Sequence, residues 1–190
     1  MRKAGLASIC ILLGCIVNIQ CIKAGNTVAG AVLFALGLVT VCTYGLDLYT
    51  GKIGYVRSNK NYIGMLKILV VNLVAGYILG YAARDVVAID IVKGITDAKL
   101  EQDIIKTIIA SYFCGTVMFL AVDMYKKDNI LGILFGIPAF ILSGFEHCVA
   151  NAIYFGMAGN IACLTYLVIN VVGNTAGSII TEVLINKKED

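Results

Sequence analysis

Glu146 and His147 lie side by side in the string GFEHCVAN, residues 144–151, between the apolar runs ILGILFGIPAFILS and AIYFGMAGNIACLTYLVINVV. His147 is the single histidine of the chain. An imidazole changes charge near neutral pH and can donate or accept a hydrogen bond, so it suits proton transfer or the holding of a small anion. A second string, GLDLYTG at residues 45–51, repeats the order glycine, apolar residue, acid, so that Gly45 and Asp47 answer Gly144 and Glu146 at a separation of 99 positions. It also carries a hydroxyl, Thr50, that would meet His147 if the two segments approach each other. Other chemistries lack their residues. One histidine excludes HExxH, and neither a GxxxxGK[ST] loop nor a Gly-x-Ser-x-Gly elbow occurs. Cys148 follows His147 directly, and sequence neighbours on a helix do not face each other. The seven cysteines are odd in number and form no CxxC pair, which reads as buried thiols rather than a metal site or a disulfide framework. The expectation is a protein that is not an enzyme, with no metal and no cofactor.

The elements that must position these groups follow from composition. Hydrophobic residues make up 59% of the 190 positions and charged residues 14%, and mean hydropathy is +0.89. A soluble domain carries about 25% charged residues, so this chain has too few charges to coat a globule and reads as an all-α membrane protein. A net charge of +3 spread over loops leaves no nucleic-acid footprint. About 20 mostly apolar residues cross a bilayer, and six such segments are found, at roughly 4–22, 27–56, 63–83, 103–123, 129–157 and 161–186. The first has a basic start like a secretory signal but spanning length, and five apolar segments follow it, so it reads as the first membrane helix. Linkers are short, so residues 1–190 read as one transmembrane domain.

Two three-helix halves emerge, about 1–85 and about 100–190, each with a glycine and an acid in the middle of its second helix. An odd number of crossings per half makes the second enter the membrane from the opposite side. The expected architecture is therefore six transmembrane helices in two inverted repeats, as in aquaporins, with helices two and five broken at Gly45 and Gly144. Asp47 and Glu146 read as structural groups at the breaks, capping backbone amides or serving subunit packing. Asn72, Asn170 and Asn174 read as helix-packing groups. An ionisable group at membrane depth usually faces the bundle interior or a watery path, which singles out His147. Arg2, Lys3, Lys52, Arg57, Lys60, Lys67, Lys126, Lys127, Lys187 and Lys188 fall on one side and Lys23, Arg84, Lys93, Lys99 and Lys106 on the other. The excess places both termini in the cytoplasm.

The paired strings GFEHCVAN and GLDLYTG resemble the formate/nitrite transporter family of pentameric anion channels. The resemblance extends along the whole chain, through FALGLVTVCTYGLDLYTG, MLKILVVNLVAGYILG, the fourth-helix string ending FLAVDMY, GIPAFILSGFEHCVANAIYF and VGNTAGSIITEVL. It implies a homopentamer in the inner or plasma membrane that passes small anions of weak acids, formate first, with nitrite or hydrosulfide as alternatives, together with protons. A neutral-solute channel of the aquaporin type is the other reading, though no paired Asn-Pro-Ala strings occur. By the same resemblance His147 matches the central pore histidine, Thr50 the threonine of the loop in helix two, and Lys99 a lysine of the outer vestibule. Phe34, Leu38 and Phe140 match apolar residues of the pore constrictions, Leu48 and Tyr49 the inner slit, and Asn151 closes the FEHxxAN string. Three departures are evident. Gly115 stands where the family often has Asn, Tyr49 where it often has Phe, and Asp123 where it often has Trp. The first implies a histidine ring held differently, and the second a hydroxyl in an otherwise hydrocarbon slit. The family's N-terminal amphipathic helix is not matched, so gating attributed to it is not carried over.

Overall fold

The computed structural model describes residues 1–187; Lys188, counted above among the basic residues of one face, lies outside them. The chain runs as α1 (Arg2–Lys23), α2 (Thr27–Thr43), two single turns α3 (Tyr49–Lys52) and α4 (Val56–Asn59), α5 (Tyr62–Ala82), α6 (Ile89–Leu100), α7 (Ile104–Lys126), α8 (Leu131–Leu142), α9 (Cys148–Ala158) and α10 (Leu164–Asn186). α1, α5, α7 and α10 are long and apolar enough to cross a membrane unaided, whereas α2, α8 and α9 are shorter apolar helices. The apolar segments 27–56 and 129–157 are thus not continuous helices. The first is α2 followed by a loop, α3 and α4, and the second is α8 followed by a loop and α9. α6 lies outside all six apolar segments, in what reads from hydropathy as a linker.

Local sequence explains where these elements begin and stop. Asn26, Asn61 and Asp103 accept backbone hydrogen bonds from Ala29, Gly64 and Ile105 at the starts of α2, α5 and α7, which answers amides that a helix start leaves open. α2 and α8 end alike. Gly45 (φ 57°) and Gly144 (φ 67°) take the left-handed conformation. The next amides, of Leu46 and Phe145, then donate back to Val41 and Phe140 at 2.9 and 3.1 Å, a glycine-dependent helix stop. Leu48 and His147 are extended before α3 and α9 restart.

Calling the end of the bundle that holds Met1 the near face, α1 leaves it, α2 returns, α5 rises and α7 descends. α10 packs along α7, α1 along α2, and α9 along α5. At Gly115 a Cβ would run into the backbone of Asn174, so α7 and α10 touch through a position that admits no side chain. Polarity is inverted relative to a soluble domain. Asn72, Glu146, His147, Asn151, Asn170 and Asn174 are buried, whereas Leu66, Val70, Ile78, Leu164, Val172 and Leu184 are exposed. Apolar surface outside and satisfied polar groups inside suit a bilayer.

Candidate functional site

Each break leaves backbone groups that a dry interior cannot hydrate, and one asparagine answers them at each place. At the first break Asn72 Oδ1 accepts from Tyr49 N at 2.8 Å, and its Nδ2 donates to Ala4 O at 2.9 Å and Asp47 O at 3.1 Å. At the second, Asn174 Oδ1 accepts from Cys148 N at 2.9 Å, and its Nδ2 donates to Ser111 O at 2.8 Å and Glu146 O at 2.7 Å. A side-chain amide has one acceptor and two donor hydrogens, which is the set each break requires. Asp47 N and Glu146 N in turn donate to Lys3 O and Ala110 O, both at 3.3 Å. The amides at the restarts are therefore answered by asparagine. Asp47 and Glu146, expected at the breaks as caps or as subunit-packing groups, do not cap these amides: Asn72 and Asn174 answer Tyr49 N and Cys148 N, and both carboxylates bind lysine.

The braced loops bring Thr50 and His147 together. Thr50 Oγ1 lies 2.7 Å from His147 Nε2, and the residues are 1% and 3% exposed. His147 Nδ1 accepts from Ala150 N at 3.0 Å and so serves as the cap of α9. A nitrogen that accepts carries no proton, so in this arrangement the ring proton is on Nε2 and is directed to Thr50 Oγ1. The Thr50 hydroxyl hydrogen is then free for another acceptor. Thr50 and the α9 amide fix the ring, and Gly115 faces the Asn174 backbone.

Cavities open on either side of this pair. The near-face cavity, about 300 Å³, is lined by Leu38, Leu48, Val122, Lys52 and Lys126 among others. The far-face cavity, about 350 Å³, is lined by Phe34, Phe140, His147, Asn151 and Lys99 among others. Phe34 and Phe140 meet edge to face with ring centroids 6.0 Å apart, and Phe140 lies 6.0 Å from the His147 ring. Leu38 is 1% exposed and stands one turn from Phe34 on the same face of α2, so Leu38 lines the near cavity and Phe34 the far one.

Lys99 lines the far cavity but is not a free cation. Its Nζ lies 2.6 Å from Glu146 Oε2, and Asn151 Nδ2 donates to the same oxygen at 2.8 Å and to Asn170 Oδ1 at 2.6 Å. Asn170 Nδ2 continues to Ser111 Oγ at 3.2 Å. Asp47 pairs with Lys52 at 2.5 Å on the near side. Thr50 lines neither cavity directly and reaches the site through His147, whereas Tyr49 turns away from it. Tyr49 lines neither cavity, and its hydroxyl donates to Thr175 Oγ1 at 2.7 Å, because Thr175 has already given its hydrogen to Val171 O. Consecutive residues at a helix start diverge by about 100°, so Leu48 takes the cavity and Tyr49 turns to α10. Lys126, Asn18 and Tyr154 also line the cavities and were missed by sequence reasoning. Asn18 carried a usable signal, an amide inside the first apolar segment.

Comparison with known proteins gives a consistent set of likenesses. A family model described as Formate/nitrite transporter matches residues 2–187, and the chain belongs to that family, whose members are transporters rather than enzymes. A Bacillus subtilis (strain 168) protein described as the uncharacterized transporter YrhG is 28% identical over 147 residues, 66% of this chain, and the match spans about half (55%) of that protein's length. Among solved structures, one described as an FNT family ion channel superposes with a TM-score of 0.77 at 22% identity, covering 97% of this chain and 85% of the other. A second, described as a pentameric formate channel with formate bound, gives a TM-score of 0.72 at 21% identity, covering 96% and 91%. These likenesses establish the fold as that of a formate/nitrite transporter family channel.

Proposed function

We propose that this member of the formate/nitrite transporter family is a membrane channel that passes small weak acids between its two cavities. The observation that carries the reading is the Thr50–His147 pair at 2.7 Å, buried between a far and a near cavity whose walls carry Phe34, Phe140 and Leu38. An unpaired anion entering such a place loses its hydration at a cost of several kcal/mol or more. Protonating a carboxylate of ordinary pKa near 4 at pH 7 costs only about 4 kcal/mol, so a weak acid has a cheaper route as the neutral molecule. Chloride, the anion of a strong acid, has none.

The role of His147 follows from its tautomer. Nδ1 is engaged as the α9 cap, so the ring reaches the imidazolium form only by giving up the Ala150 bond, which is worth roughly 0.5–2 kcal/mol. The geometry favours a ring that holds Thr50 while the Thr50 hydroxyl donates to the permeating oxygen or sulfur. The proton itself then comes from vestibule water. Lys99 with Glu146 sets a balanced charge pair at the far wall, a weaker anion attractor than a lone lysine.

The finer architecture belongs to the same proposal. The six passes are α1, α2 with α3 and α4, α5, α7, α8 with α9, and α10, in two inverted three-helix repeats. The bonds at the two breaks support this, since Gly45, Asp47 and Tyr49 recur as Gly144, Glu146 and Cys148 with the same hydrogen-bond roles. We take the near face as cytoplasmic, from its basic residues, the location as the plasma or inner membrane, and the assembly as a homopentamer, by analogy with the solved formate channel. Formate is the first substrate, with nitrite and hydrosulfide as the alternatives. An aquaporin-type pore for neutral solutes is less favoured, because it has no need of an oriented imidazole.

The test is uptake into proteoliposomes across a pH series for the parent, His147→Asn and Thr50→Val. The parent should take up formate faster as pH falls and should exclude chloride, and both variants should be slower and less selective. If His147→Asn keeps the pH dependence, the proton comes from solvent; if it loses it, the histidine delivers the proton. Formate uptake no faster than in empty liposomes, or chloride moving as fast as formate, would overturn the weak-acid reading.

A further inference from the structure

The far cavity contains a polar pair that the mechanism above leaves unused. Asn18, on α1, and Tyr154, on α9, both line it and are 5% and 7% exposed. Asn18 Nδ2 donates to Tyr154 Oη at 3.1 Å. Asn18 Oδ1 is buried and receives no hydrogen bond. Its place is marked by Gly30, where a Cβ would stand 2.6 Å from that oxygen. Thr27, Gly30 and Phe34 are three and four residues apart on one face of α2, and Thr27 and Phe34 line the same cavity. The Asn18 amide oxygen therefore packs against Gly30, just behind the wall that Thr27 and Phe34 present to the cavity. Tyr154 enters this bond as acceptor, so its own hydroxyl hydrogen is left to the thiol of Cys15, a weak acceptor, or to an occupant of the cavity.

A buried acceptor without a donor is unfavourable, and its presence beside a cavity calls for an occupant that answers it. The pair offers one acceptor, Asn18 Oδ1, and one donor, the Tyr154 hydroxyl. A formate ion has acceptors only and would leave Oδ1 facing a lone pair. A protonated acid has an O–H and a carbonyl oxygen and matches both. The cation of this wall does not argue for an anion, since Lys99 is held by Glu146 at 2.6 Å, and His147 is occupied by Thr50 and Ala150.

We propose that Asn18 and Tyr154 form a subsite for the neutral, protonated form of the permeating acid, its O–H meeting Asn18 Oδ1 and its carbonyl oxygen meeting the Tyr154 hydroxyl. No bond is made or broken there. The subsite selects the protonated species beside the Phe34–Phe140 pair. This rests on the weak-acid reading above.

Formamide is the probe, a molecule of the size of formic acid that has a donor and a carbonyl acceptor and is uncharged at every working pH. Methyl formate, which has no donor, is the control. Binding to the purified full chain is read by saturation-transfer NMR, and competition is read against formate uptake. Formamide should bind and compete. Tyr154→Phe and Asn18→Leu should each weaken it about five- to tenfold, the effect of one hydrogen bond, while methyl formate, whose carbonyl can still accept from Tyr154, binds more weakly than formamide and is unchanged by Asn18→Leu. Formamide and methyl formate behaving alike, or formamide unaffected by Tyr154→Phe, would overturn the subsite and leave a water-filled recess. If Asn18→Leu does not assemble, Tyr154→Phe, which keeps the ring, carries the test alone. Formamide binding that Tyr154→Phe weakens, in a protein that moves no formate, would sink the weak-acid reading but keep the subsite. Normal formate uptake with variant-insensitive formamide would sink only the subsite.

Discussion

Asn174→Ala tests the bracing of the second break most directly. In the folded protein its amide answers three backbone groups, Cys148 N at 2.9 Å, Ser111 O at 2.8 Å and Glu146 O at 2.7 Å, and the residue is fully buried. Truncation removes all three bonds where no water can enter. Side-chain hydrogen bonds between membrane helices average about 0.6 kcal/mol with a maximum near 1.7, so three give roughly 2–5 kcal/mol. For a chain of this size that corresponds to a drop of roughly 5–15 °C in unfolding midpoint. Asn174→Asp should be worse than Asn174→Ala, because it keeps the acceptor for Cys148 N but turns a carboxylate oxygen toward two carbonyls. Asn72→Ala should cost a similar amount, since Asn72 makes the matching set with Tyr49 N, Ala4 O and Asp47 O. The assay is loss of the monodisperse species after heating in detergent, read by size-exclusion chromatography. A midpoint for Asn174→Ala within about 2 °C of the parent, under 1 kcal/mol, would refute the claim that this residue holds the break. Formate uptake should fall in parallel, because Cys148 N adjoins the residue that carries the imidazole.

Three further outcomes follow from the same geometry. Tyr49→Phe should lower stability by about 1 kcal/mol, the net worth of one hydrogen bond, and leave the formate-to-chloride uptake ratio unchanged, since the hydroxyl faces Thr175 rather than a cavity; an altered ratio would return Tyr49 to the pore. Lys99→Ala should cost about 3–5 kcal/mol by stranding the Glu146 carboxylate, and heat stability should recover in Lys99→Ala with Glu146→Gln, a recovery that a thermal-shift comparison of the two variants would detect. Gly115→Asn, which restores the residue common in the family, should block assembly, because a side chain there meets the Asn174 backbone; a normal yield of folded protein on chromatography would show that α7 and α10 separate more readily than their packing indicates.

Much of the molecule was legible in the chain because a bilayer makes simple demands. The segments that became α1, α5, α7 and α10 were visible as apolar runs of crossing length, since backbone polarity forces any such run into a helix. The breaks were visible for a related reason: Gly45 and Gly144 supply a left-handed turn that other residues resist, and an acid two positions on marks backbone that is no longer helical. The spacing of 99 positions between the two strings was enough to expect Thr50 and His147 near each other.

What the sequence could not specify is where each side chain beside a break points. Tyr49 and Leu48 are neighbours of similar apolar character, and only the helical phase of α3 against α7 and α10 sends one to the cavity and the other to Thr175. Asp47 and Glu146 read from sequence as caps or as subunit-packing groups, and their lysine partners were not foreseen; the arrival of Asn72 and Asn174 from distant helices left the carboxylates to Lys52 and Lys99. α6 was hidden because its twelve residues are too mixed in polarity to resemble a span. The hydrogen position on His147 depends on an amide three residues along the chain but becomes fixed only when α9 forms around it. Hydropathy and glycine placement act locally and are written in the chain, whereas hydrogen-bond partners in a dry interior are chosen by whichever helix packs alongside.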